Sequence, residues 1–113
     1  MEAIYTALAV CSGVAILLIG VSIPMYSGKI KRNKYYGFRT PKTLSSDEIW
    51  YQVNHDSGLY MIVAGIVILL TACGLFFLKS MLATPVLVGI MIVISIVSLV
   101  GAVVKSFMSL SRY

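Results

Sequence analysis

The chain has 113 residues, of which 59% are hydrophobic and 12% are charged, and its mean hydropathy is +0.96. Soluble domains are nearer half apolar and a quarter charged, and a chain this short buries only part of its surface, so an ordinary soluble domain, a disordered chain and a disulfide scaffold are excluded. The net charge is +5, and six of the nine Lys and Arg residues lie in 29–42. Such a distribution is typical of a loop beside a membrane and not of a nucleic-acid-binding face. We expect one domain, 1–113, in lipid and without a nucleic-acid partner.

Three uninterrupted apolar runs, 3–26, 59–78 and 84–104, contain no charged residue. About twenty helical residues, rising about 1.5 Å each, cross a hydrocarbon core of about 30 Å. The first run has Glu2 before it and basic residues after it, which are the flanks of a retained anchor and not of a cleaved signal peptide. The sequence predicts an all-α, polytopic membrane protein with three transmembrane helices. Pro24 is expected to kink or end the first of them.

Orientation follows from the basic residues in the connections. Six lie between the first two runs, one (Lys79) lies between the second and third, and two (Lys105 and Arg112) follow the third. Cytoplasmic loops carry the excess of Lys and Arg. We therefore predict a multi-pass protein of the cell membrane with the N-terminus outside, the loop 27–58 in the cytoplasm and the C-terminus inside.

Within the runs, small residues permit close helix packing, which lipid does not otherwise drive. They are Ala7, Gly13, Gly20, Ala64, Gly65, Gly74, Gly89, Ser95, Ser98 and Gly101. Ion-coupled transport is disfavoured, because no predicted span contains an ionisable residue of the kind that binds a coupling ion. Cys11 and Cys73 are far apart and belong to no metal or redox motif, so we expect no metal and no cofactor.

The 32-residue connection 27–58 is long for two antiparallel helices, and such loops are usually functional or disordered. Its aromatic content argues against disorder. It begins with a basic cluster that is expected to contact lipid headgroups, with a landing site for a partner as the alternative. The cluster comprises Lys29, Lys31, Arg32 and Lys34.

A turn follows at 37–41, where Gly37 permits unusual backbone angles and Pro41 favours an extended Thr40. The turn would hold out Arg39, either as a clamp on carbonyls or a carboxylate or as a contact for a ligand. Ser45 with Glu48 has the form of a capping box. We expect it to start a short amphipathic helix, 46–56, that lies on the membrane through Ile49, Trp50 and Val53.

His55 is the only histidine and neighbours Asp56. Adjacent helical residues point about 100° apart, and no nucleophile motif or metal-ligand spacing accompanies the pair. We expect a structural or interfacial histidine and no enzyme activity.

The loop resembles that of the SdpI-type membrane proteins, the bacterial family named for the immunity protein against the sporulation-delaying toxin. The resemblance covers about 10–104, and its specificity rests on Asn33, Gly37, Arg39, Thr40, Pro41, Thr43, Leu44, Asp47, Glu48, Trp50 and Gly58. It implies protection of a cell from a membrane-active peptide toxin and, in the founding member, signalling by holding a transcriptional repressor at the membrane. The expected partners are membrane lipids, a peptide toxin and a cytosolic regulator.

The leading hypothesis is thus an immunity protein that binds a toxin or recruits a partner. The residues expected to form the binding loop are Gly37, Arg39, Thr40, Pro41, Thr43, Leu44 and Trp50. A holin-like pore former and an accessory subunit of a larger membrane complex are the alternatives, with a lipid enzyme more distant, and a homo-oligomer stays open. A holin has no need of a long shaped loop.

Overall fold

The protein consists of three long helices in a computed structural model that describes residues 2–113, with side chains from Ala3 onward. The helices are α1 (Glu2–Tyr26), α2 (Asp47–Leu78) and α3 (Thr84–Leu110), and a 3₁₀ turn, Thr43–Ser45, precedes α2. Each helix is long and apolar enough to cross a membrane. The described residues contain no strand. The predicted all-α fold with three membrane-crossing helices is confirmed.

Helix α2 is the centre of the bundle and packs antiparallel to both α1 and α3. All three helices meet at the end of the bundle that carries the short α2–α3 connection, which we call the turn end. Its core is formed by Ile4, Leu8, Ala72, Leu75, Leu87 and Met91. The opposite end, where the segment 27–46 joins α1 to α2, is the loop end.

Large apolar side chains cover the outside of the helices. Leu17, Phe77 and Val97 are each more than 60% exposed. Exposure of such a surface to water would be unfavourable, whereas lipid acyl chains solvate it. The exposed apolar surface and the helix lengths therefore fit a bundle embedded in a bilayer.

Close approach of α1 and α2 depends on small side chains near the loop end. Ala15 and Ser22 on α1 are buried. A Cβ built on Gly58 would lie 2.6 Å from the Tyr26 nitrogen and 2.9 Å from the Ser22 carbonyl oxygen. Both neighbours are backbone atoms that cannot rotate away, so Gly58 sets the distance between the two helices.

The separate surface helix expected at 46–56 is not present, because these residues are the first turns of α2. Helix α2 runs without a break for 32 residues, about 48 Å. Its first three turns extend past the end of α1 at Tyr26. Trp50 and Val53 do not face the membrane, since both are fully buried in the protein. The long loop folds over their side of α2 and replaces the bilayer as their packing partner.

Helix α3 also runs further than the apolar run 84–104, to Leu110. Polar pairs hold its last turns against α2: the Ser106 hydroxyl donates to the Ser57 hydroxyl at 2.9 Å, and the Ser109 hydroxyl donates to the Asp56 carboxylate at 2.6 Å. Arg112 lies 3.6 Å from the same carboxylate. These contacts continue the α2–α3 interface beyond the apolar segment. Helix α1, by contrast, ends two residues after Pro24.

Substitution of Gly58 by Ala is expected to lower the free energy of unfolding by about 1–3 kcal/mol, because the new methyl group overlaps the α1 backbone. Thermal unfolding of the purified protein in detergent, followed by circular dichroism, measures the change. Gly74→Ala is the matched control in the same helix, since a Cβ there meets no atom within 4 Å, and it should leave Tm unchanged or raise it. Equal destabilisation by the two variants would contradict the close α1–α2 approach.

Candidate functional site

The candidate site is the segment 27–46, which folds around the first turns of α2 and which we call the folded loop. Trp50 lies at its centre and is fully buried. The indole Nε1–H of Trp50 donates to the carbonyl oxygen of Ile30 at 2.9 Å. A buried indole needs such a partner, so this bond fixes the beginning of the loop on α2.

Asn54, one turn after Trp50, holds the middle of the loop. Its side chain is 2% exposed, and its Oδ1 accepts from the backbone N–H of Phe38 at 2.7 Å. The Nδ2 group donates to the Trp50 carbonyl at 2.9 Å and to the Phe38 carbonyl at 3.3 Å. A buried amide without a hydrogen-bond partner costs about 1–3 kcal/mol. The loop backbone and the Asn54 side chain avoid this cost by pairing with each other.

Gly37 fits where no other residue does. Its φ is +110°, a value that L side chains rarely adopt. A Cβ at this position would lie 2.7 Å from Asn54 Oδ1 and 3.1 Å from two atoms of the Trp50 ring. The glycine is therefore required both by the backbone turn and by direct packing on Trp50 and Asn54.

Two local polar motifs shape the rest of the folded loop. Asn33 Oδ1 accepts from the backbone N–H groups of Tyr35 and Tyr36 at 2.8 and 2.7 Å, which is an Asx-type turn. The buried Thr43 hydroxyl accepts from the Thr40 N–H at 2.7 Å and donates to the Thr40 carbonyl at 3.0 Å. The Thr40 hydroxyl in turn accepts from the Thr43 N–H at 3.1 Å. The two threonines thus close the turn around Pro41.

The start of α2 differs by one residue from the expected capping box. Ser46, not Ser45, is the N-cap, and its hydroxyl accepts from the Ile49 N–H at 3.3 Å. Ser45 belongs to the preceding 3₁₀ turn, where its hydroxyl donates to the Lys42 carbonyl at 2.5 Å. Asp47 follows the cap and pairs with Arg32 at 3.3 Å.

The folded loop also contacts α1 and α3. The Tyr36 hydroxyl donates to the Val21 carbonyl of α1. Lys42 Nζ donates to the Leu110 carbonyl at the end of α3 at 3.2 Å, and the rings of Phe38 and Phe107 meet edge to face at 5.1 Å. The loop therefore closes the loop end of the bundle against all three helices.

His55 contributes to the contact between α1 and α2 at the loop end. Its Nδ1 lies 2.7 Å from the Tyr26 carbonyl, the last residue of α1, and its ring stacks on the Tyr26 ring at 4.5 Å. The neighbouring Asp56 points to α3 instead, toward Ser109 and Arg112. The sequence neighbours His55 and Asp56 thus bind different helices.

The residues predicted for the binding loop divide into two groups. Gly37, Thr43 and Trp50 form its inside, with Thr40 and Leu44 partly buried beside them. Arg39 and Pro41 are exposed. The Arg39 guanidinium donates to the Lys34 carbonyl, and in the described part of the chain it makes no ion pair with Asp47, Glu48 or Asp56.

The four residues of the basic cluster differ in their contacts. Arg32 is exposed but is held against the protein by Asp47 and by the Leu44 carbonyl, 3.3 Å from its Nη1. Lys29, Lys31 and Lys34 are exposed. Together with Arg39 and the ring of Tyr35, which is 88% exposed, these three lysines make up what we call the basic rim.

The sequence interpretation missed Asn54, which it placed in a polar connection between two helices. The available signal was its spacing, because Asn54 is four residues after Trp50 and so shares its helix face. Within residues 2–113, no group of three His, Cys, Asp or Glu side chains could hold a metal ion. Cys11 and Cys73 are free thiols.

The folded loop and the helices after it correspond to a known protein family. The SdpI/YfhL protein family model matches residues 29–101, which is well over half of the chain. This chain belongs to the SdpI/YfhL family. No curated protein and no solved structure matches it. The matched segment of this SdpI/YfhL protein includes the basic rim, Trp50 and all of α2.

Replacing Gly37 by Ala in this SdpI/YfhL protein is expected to displace the folded loop and to cost more than about 2 kcal/mol, because an unfavourable φ adds to overlap with Trp50 and Asn54. Trp50 is the only tryptophan, so its fluorescence reports the site directly. Acrylamide quenching of Trp50 should rise, and its emission should shift to the red.

Gly28→Ala is the matched control for this experiment. Gly28 also has a positive φ, +71°, but a Cβ there meets no atom within 4 Å, so the expected cost is only about 1 kcal/mol with unchanged quenching. Unaltered Trp50 quenching in Gly37→Ala would show that the loop does not pack on the indole as described.

Proposed function

We propose that this SdpI/YfhL protein protects the membrane in which it resides against a membrane-active peptide, and that the basic rim of the folded loop is its contact surface for the peptide or for a cytosolic partner. The observation that carries the proposal is that the residues shared with the family pattern build a fixed loop and not a flexible connection. Gly37, Thr43 and Trp50 form its packed inside. A preorganised surface loses less entropy on binding than a mobile one.

Charge supports the choice of surface. The described residues form two ion pairs, Arg32 with Asp47 and Arg112 with Asp56, and no cation of the basic rim takes part in either. Unpaired cations on a fixed scaffold attract anionic groups, including peptide carboxylates and lipid phosphates. The rim is thus available for an external partner.

We propose that this surface faces the cytoplasm of the cell and that the turn end faces outward. Six of the nine basic residues lie in the loop segment, and Lys105 and Arg112 lie at the same end of the bundle. The positive-inside rule favours this orientation. A cytosolic regulator could then reach the basic rim, while a toxin would reach it through the bilayer.

We propose a role without catalysis. His55 and Asp56, two side chains at the loop end that could act as acid or base, are bound to other helices, His55 to the Tyr26 carbonyl and Asp56 to Ser109 and Arg112. General acid–base catalysis needs such groups directed at a substrate. Their present contacts favour a structural use.

The test is protection of cells that express this chain when they are challenged with the purified sporulation-delaying peptide toxin. Survival and a voltage-sensitive dye measure protection and membrane depolarisation. We expect expression to raise the toxin concentration needed for depolarisation, and Arg39→Gln combined with Lys31→Gln and Lys34→Gln to remove most of this effect. The three substitutions change exposed side chains, so protein level and Trp50 fluorescence should be unchanged.

Lys79→Gln and Lys105→Gln, each outside the folded loop, are the charge controls for that experiment. Protection retained in full by the triple variant at normal protein level would contradict the role of the basic rim. Depolarisation on expression alone, without toxin, would instead support the holin-like alternative and contradict protection.

A further inference from the structure

A second surface lies away from the folded loop, in a furrow between α2 and α3. The furrow has a volume of about 400 Å³ and is lined almost wholly by apolar side chains, with Leu59, Val63 and Val67 on α2 and Val97 and Gly101 on α3. It spans nine residues of each helix, a rise of about 12 Å along the helix axis. Its size is within the range of small-molecule sites, which is about 300–1,000 Å³.

Small side chains make the furrow. Ala64 and Ala102 are buried at its floor, and Gly101 has open space where a Cβ would be. No other described element contributes to its lining. In a bilayer such a furrow does not stay empty, because the acyl chains that solvate the helices have direct access to it.

Lys105 lies at the loop-end mouth of the furrow. Its Nζ is 5.5 Å from the centroid of the Tyr60 ring, and Tyr60 is at the beginning of the apolar part of α2. Both ion pairs found in residues 2–113 belong to other residues, so Lys105 has no carboxylate partner there. A lysine at this depth directs its ammonium group to the headgroup region.

We infer that this furrow is a binding site for one anionic phospholipid, with an acyl chain along the apolar walls and the phosphate at Lys105. The charge at the mouth complements an anionic headgroup, and the apolar lining complements the chain. A second copy of the protein is a poorer occupant, since two copies with the same orientation place their Lys105 side chains at the same depth, where like charges repel. The site is separate from the basic rim and does not depend on its proposed function.

The experiment is native mass spectrometry of the purified chain, titrated in detergent with dioleoylphosphatidylglycerol or dioleoylphosphatidylcholine. We expect one lipid to be retained per chain, with phosphatidylglycerol preferred by about fivefold, which corresponds to about 1 kcal/mol for one lysine near the headgroups. Lys105→Gln should abolish the preference and still retain lipid. Gly101→Leu should lose both lipids, because its side chain fills the furrow.

Matched controls separate the site from general effects of charge and size. Lys79→Gln removes a charge at the turn end, outside both the furrow and the basic rim, and Gly89→Leu enlarges an α3 glycine that also has open space but lies outside the furrow. Both should retain phosphatidylglycerol as the unchanged chain does. Circular dichroism and the Trp50 emission should be the same in all four variants.

Three results of the lipid titration would overturn the inference. They are equal retention of the two lipids by the unchanged chain, a phosphatidylglycerol preference that survives Lys105→Gln, and lipid retention that survives Gly101→Leu. A dimer mass that disappears in Gly101→Leu would also overturn it, because the furrow would then be occupied by a second copy.

Discussion

The folded loop depends on a buried amide that pairs with its backbone. Asn54 accepts from the Phe38 N–H and donates to the Phe38 carbonyl, while Gly37 next to Phe38 packs on Trp50. A backbone segment can leave water only when its polar groups are paired, and Asn54 supplies that pairing in a loop that has no strand partner. The Trp50 bond to Ile30 and the Thr40–Thr43 turn extend the same attachment along the loop.

This attachment determines the architecture of the loop end. Helix α1 stops at Tyr26, and the folded loop then covers the first turns of α2, so that Trp50 and Val53 are buried by protein instead of lipid. The cations of the basic rim are left outside, since Asp47 neutralises only Arg32. The result is a bundle with two chemically different surfaces, a basic rim at the loop end and an apolar furrow along α2 and α3. The first is suited to an anionic partner and the second to an acyl chain.

Much of the fold could be predicted from the sequence, because uncharged runs of about twenty residues have few alternatives in lipid. The Gly37 turn could be predicted from the glycine itself. The continuity of α2 could not, since the polar stretch from Asn54 to Gly58 has the composition of a break between helices. Residues in this stretch have tertiary partners. Asn54 forms a hydrogen bond with the loop, Ser57 forms one with Ser106, and Gly58 lets the backbone of α1 approach closely. Such long-range pairing overrides local propensity, and apart from the four-residue spacing of Trp50 and Asn54 it leaves no trace in residue spacing.

Hydrogen exchange at the Phe38 amide, measured by NMR in detergent micelles, tests the Asn54 attachment most directly. Because this N–H donates to a side chain that is 2% exposed, it should exchange at least as slowly as the helical amides of the first turns of α2, although it lies in a segment without regular structure. In Asn54→Ala its exchange should become fast while the amides at the turn end stay protected. If the Phe38 amide exchanges in the unchanged chain as fast as an exposed loop amide, the folded loop is not attached to α2 in this way.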